Sequence, residues 1–147
     1  MSTPDRLDAV ARVRRAREQD SLIGLQQARR EADAALAVLD SLRARLMPDG
    51  VAGVDSMTAF LARRTAMLAV EQAATAAEQD YAAAGSIAES AQAHWAADRV
   101  RLEAIEMLQE RRAEERRRER AAVEAKQLDE VATQSGARRD GRDEVAS

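Results

Sequence analysis

The sequence predicts an all-α protein: two long helices folded into an antiparallel coiled-coil hairpin, the second helix longer and overhanging the first. Three observations lead there. Ala supplies 34 of the 147 residues and Arg 22, with 14 Glu, a composition typical of long helices and coiled coils. Apolar side chains recur at alternating steps of three and four through both halves. Breakers are few, two Pro and six Gly, and Pro48, Gly50 and Gly53 lie together. Sheet is disfavoured because β-branched and aromatic residues are scarce.

Each element has its own signals. Thr3, Pro4 and Asp5 form a helix start: a hydroxyl cap, Pro in the first turn, then an acid at the positive end of the dipole. Met47 precedes Pro48 and is pushed out of helical geometry, so the first helix ends near Leu46. Asp55 or Ser56 caps the second, which runs without Pro to Ser135-Gly136. The expected organisation is one coiled-coil domain over residues 1–135: helix 4–46, loop 47–55 and helix 56–135. Residues 136–147, small and charged, are expected to be a disordered tail. So short a connection after so long a helix favours an antiparallel hairpin.

In the first helix Leu25, Ala28, Ala32, Ala35, Leu39, Leu42 and Leu46 keep a heptad register. Extended backward it meets Ser21, Glu18, Arg14, Ala11 and Leu7. That polar stretch suits either loose pairing or another protein. In the second helix Phe60, Met67, Val70, Ala74, Ala77, Tyr81, Ala84, Ala88, Ala91, Trp95, Leu102 and Ile105 share one register, with Arg63 and Asp98 as polar intrusions. Folding the chain at residues 51–52 sets Leu46 against Met57, Leu25 near Glu78 and Leu7 near Ala96. Leu36, Leu39, Leu42 and Leu46 then pack with Met57, Phe60, Leu61, Met67 and Leu68. The loop end becomes the firm end, because a large buried side chain contributes roughly 1.5–3 kcal/mol and an Ala methyl far less.

Composition also limits function. With no Cys there are no disulfides, thiolate zinc sites or Cys nucleophile, and His94 is the only His. Neither metal nor cofactor is expected, and no constellation suggests an enzyme. No apolar run reaches membrane-spanning length, and the N-terminus lacks the pattern of a signal peptide, so a cytoplasmic protein without direct membrane insertion is expected.

The net charge of −3 is unevenly spread: +3 over residues 1–30, −7 over 31–110, +3 over 111–120 and −2 over 121–147. The basic stretches hold Arg12, Arg14, Arg15 and Arg17, then Arg111, Arg112, Arg116, Arg117, Arg118 and Arg120. One reading is a solvated helix laced by pairs such as Glu114–Arg118. The other is an arginine-studded end that docks on an acidic surface. Interleaved Glu, a single Lys and a pI near 5.3 argue against nucleic acid. Near the bend, Phe60, Leu61, Met67 and Leu68 make either a wide core stripe or an apolar partner-binding patch.

The run His94-Trp95 through Arg101-Leu102 to Leu108-Gln109-Glu110-Arg111, followed by Lys126-Gln127-Leu128-Asp129-Glu130-Val131-Ala132, resembles the flagellar export protein FliJ family over about residues 5–135. Members carry a Trp, then a basic residue with Leu, then Leu-Gln-acid-Arg, and later a Lys-(Leu/Met)-Asp-Glu-x-Ala element. The resemblance implies a non-catalytic antiparallel coiled coil similar to the central stalk, or gamma subunit, of rotary ATP synthases. Such proteins bind the flagellar (type III) export ATPase ring, promote its assembly, and link it to the export-gate membrane protein FlhA and to export chaperones. That implies peripheral association with the inner face of the cell membrane at the flagellar base. On this chain the ten arginines above would face the ATPase, and Phe60, Met67 and Val70 the gate. The alternative is a structural coiled-coil adaptor acting as a homodimer.

Overall fold

A computed structural model describes the backbone of residues 6–47 and 56–145, with side chains up to residue 136. Helix α1 is Arg6–Leu46 and α2 is Met57–Val145. They pack against each other as a helical hairpin. Among the described residues there is no strand. No described helix is long and apolar enough to cross a membrane.

Local chemistry accounts for the helix ends. Asp8 sits in the first turn of α1, and Arg43 and Arg45 in the last, each opposing the dipole there. The α1 end at Leu46 is where Pro48 requires it, and the Met47 amide closes onto the Ala44 carbonyl at 3.3 Å. Ser56 is the cap of α2: its Oγ accepts the Ala59 amide at 3.1 Å, and its carbonyl accepts Phe60 N–H at 3.1 Å. The expected signals at Thr3, Pro4, Asp5, Asp55 and in the loop fall outside the described residues. At the far end the helix does not stop at Ser135-Gly136 but continues to Val145. Gly136 keeps a helical φ, and nothing stronger than its cost of about 1 kcal/mol relative to Ala breaks the chain there.

The packing divides the chain into two units, each drawing on both helices: Met1–Ala11 with Glu103–Ser147, and Arg12–Leu102. In the second unit every expected α1 seam position from Arg14 to Leu46 is buried or half-buried, with Leu25 and Leu39 the largest fully buried side chains. On α2, Val70, Ala74, Ala77, Ala84, Ala88, Ala91, Trp95, Asp98 and Leu102 form the covered stripe. The first unit repeats the pattern with Leu7 and Ala11 on α1 and Ile105, Gln109 and Ala113 on α2. From residue 114 to 136 α2 is exposed all round.

The seam is as expected; the register is not. Arg43 donates to Glu78 at 3.0 Å and Arg29 to Gln92 at 2.6 Å. Trp95 donates to Glu18 at 2.9 Å, and in the first unit Gln109 donates to Asp8 at 2.7 Å. Leu25 therefore does not face Glu78, which belongs to Arg43. Because both helices rise by the same step, α1 ends opposite about residue 75. Leu39 lies opposite Glu78's neighbourhood, not Met67. The cluster expected at the bend is consequently absent: Met57, Phe60, Leu61, Met67 and Leu68 are all exposed. The displacement amounts to two heptads, and a heptad pattern alone cannot detect it, since a slip by whole heptads returns every seam residue to the seam.

Candidate protein-binding surfaces

The polar residues on the seam are what position the surfaces. Glu18 projects from α1 with its side chain 13% exposed, accepts the Trp95 Nε1–H, and has the Arg99 guanidinium 4.0 Å away. One helical turn on, Ser21 lies within hydrogen-bonding reach of the Glu18 carbonyl, at 3.1 Å, and of the Asp98 carboxylate; its single proton serves one at a time. Asp98 is the one buried charged side chain among the described residues. Its Oδ1 accepts from Arg101 at 3.0 Å and its Oδ2 lies 3.5 Å from His94 Nε2. The stretch expected to be loosely paired, or left for another protein, is thus satisfied inside the hairpin. A buried polar group must find a partner, and Glu18 finds Trp95 across the seam in the observed register.

Burial alone would raise the Asp98 pKa. Hydrogen bonds from Arg101 and Ser21, with the nearby charges of His94 and Arg101, outweigh it and hold the carboxyl below its ordinary 3.8. The folded state therefore gains from ionised Asp98 at neutral pH, and that gain is lost as pH falls through the depressed value. Asp98→Asn removes this dependence. Its thermal midpoint is expected to fall less steeply than the parent's as the pH drops below about 4. Equal slopes in parallel melts across that range would contradict the assignment.

Two surfaces stand exposed among the described residues. The first is the start of α2, where Phe60 is 50% and Met67 40% exposed, joined by Met57, Leu61 and Leu68; Val70, at its edge, is half-buried. The apolar side chains at 60 and 61, and again at 67 and 68, point about 100° apart, so the patch covers more than one face of a helix that α1 does not reach. Exposed apolar area of this kind is a candidate interaction surface.

The second is the arginine set. Arg12, Arg15 and Arg17 are exposed in the second unit, and Arg14 is half-buried on the seam. In the first unit Arg111, Arg112, Arg116, Arg117, Arg118 and Arg120 are all exposed, with Arg118 paired to Glu114 in the i,i+4 manner expected of a solvated helix. The two groups belong to different units. Among the described residues no group of His, Asp or Glu could hold a metal.

Trp95, which with Leu128-Asp129-Glu130 carries most of the sequence resemblance, thus has a structural role, holding Glu18 across the seam. Neither a curated protein nor a solved structure matches the chain. The family model described as flagellar FliJ protein does match, over residues 2–141, nearly the whole length, and the chain belongs to that family as a component of the flagellar export apparatus.

Proposed function

We propose that this protein is the non-catalytic stalk and coupling component of the flagellar export ATPase. In this reading it binds the ATPase ring, promotes its assembly, and connects it to the export-gate membrane protein FlhA and to export chaperones, at the inner face of the cell membrane. The observation that carries the reading is the run Arg111–Arg120, with all six guanidinium groups exposed on one continuous helix. Exposed, Glu-interleaved arginines give fast, salt-sensitive and reversible docking on an acidic surface, as engagement with a cycling ring requires. Arg12, Arg14, Arg15 and Arg17, in the other unit, are proposed ATPase contacts as well. Phe60, Met67 and Val70 are the proposed gate contact, supported by the exposure of the first two. The homodimeric adaptor lacks comparable support, because a parallel coiled coil would need the seam that α1 and α2 already occupy.

The test is charge reversal. The quadruple substitution Arg14→Glu, Arg17→Glu, Arg117→Glu, Arg118→Glu is expected to abolish stimulation of export-ATPase hexamerisation and hydrolysis. Helicity by circular dichroism should be retained. Normal stimulation by a folded quadruple variant would remove the arginines from the contact.

A further inference from the structure

Helix α2 carries two seam positions, two heptads apart, with a ring that bears a hydrogen-bond donor: Tyr81 and Trp95. Glu18 uses Trp95, while Tyr81 is 38% exposed. Sliding α1 toward the start of α2 by two heptads, about 21 Å, leaves the heptad seam intact. It brings Glu18 to the level of Tyr81, Leu46 to that of Phe60 and Leu39 to that of Met67. The ten residues between the helices can reach at most about 35 Å, enough for both arrangements. Against the slide stand the cross-helix contacts of the observed register, Arg29–Gln92 and Gln109–Asp8 among them. Asp98, 5% exposed, would lose Ser21, and Arg43 would exchange Glu78 for the level of Arg64.

We infer that the hairpin has a second register, slipped by two heptads, in which Tyr81 replaces Trp95 as the partner of Glu18 and the leucines of α1 cover the Phe60–Val70 face. The Trp95–Glu18 hydrogen bond is the latch that holds the observed register and keeps that face open. As a device that opens and closes a docking surface, this rests on the reading of Phe60, Met67 and Val70 as the gate contact; the two registers themselves rest on geometry alone. Each register leaves something unsatisfied. The observed one exposes large apolar side chains, and the slipped one gives up the cross-helix contacts of Arg43 and Arg29. Such a pair of states, one of them minor, responds to a partner that binds only one of them.

The chain has no Cys, so introduced pairs report unambiguously. In the full-length protein, R43C with E78C should cross-link readily through a short bismaleimide within one chain. R43C with R64C should cross-link in the roughly 0.1–10% of molecules expected of a minor state. Adding W95F, which removes the donor that holds Glu18 in the observed register, should raise the R64C yield about tenfold and lower that of E78C. If that background fails to fold cooperatively, Y81F in the otherwise unaltered chain decides: the R64C yield should drop about tenfold while the E78C yield stays. An R64C pair that never links within a chain, that links only between chains, or that ignores Y81F would overturn the inference. None of these readouts involves a partner. Undiminished FlhA binding by F60A/M67A protein would instead reject the gate contact and leave the registers standing.

Discussion

Leu39→Ala is expected to lower the unfolding free energy by about 2–3 kcal/mol, and Leu25→Ala by a similar amount. These are the largest fully buried side chains among the described residues, each 2% exposed. The helix opposite offers mainly Ala, so little else fills the space a deleted leucine leaves. A two-helix assembly relaxes more easily than a layered core, which places the cost at the lower end of the range for such truncations. Phe60→Ala and Met67→Ala, by contrast, remove exposed side chains and should change stability by no more than about 0.5 kcal/mol. Urea unfolding followed by circular dichroism compares the four. If Phe60→Ala or Met67→Ala costs as much as Leu39→Ala, the leucines of α1 pack at the bend and the register is wrong.

Trp95→Phe is expected to cost about 1–3 kcal/mol, more than a surface aromatic exchange warrants. The Glu18 carboxylate is mostly buried, and Trp95 Nε1 is its close donor, with Arg99 at 4.0 Å. Removing only the donor leaves a desolvated acceptor; removing the acceptor too, as in Glu18→Leu with Trp95→Phe, should recover part of the loss. A double-mutant cycle in the same urea assay measures the coupling. A coupling near zero would mean that Trp95 acts through packing alone and that the Glu18 contact does not select the register.

Much of this molecule is legible in its sequence. The α1 seam from Leu7 to Leu46 is covered where the heptad pattern puts it, and Pro48 fixes the end of α1. The pairing was not legible from apolar residues. Leu39 and Met67 look like natural partners, yet a pattern with a period of seven is indifferent to sliding by seven. What distinguishes one heptad from the next is its polar content: Glu18 and Ser21 against Trp95 and Asp98, Arg43 against Glu78, Arg29 against Gln92. Glu18, Ser21 and Asp98 read as flaws in a dry seam, but a polar seam residue is costly without its partner and so specifies register; Arg43, Glu78, Arg29 and Gln92 flank it. The exposed apolar start of α2 follows from the same choice. Phe60 and Met67 lie on the extended seam but beyond the end of α1, so a core reading and a surface reading could not be separated by periodicity. Gly136 misled for a different reason: glycine favours a helix stop but does not impose one.

The most direct test is a distance measurement between spin labels at residues 29 and 92 of the full-length chain. An antiparallel hairpin in the observed register places both labels across one packed helix pair, whose axes lie about 8–10 Å apart. A single short distance is expected, unchanged when labelled protein is diluted into a large excess of unlabelled protein. No short distance, or one that disappears on dilution, would contradict a chain that folds back on itself with Arg29 beside Gln92.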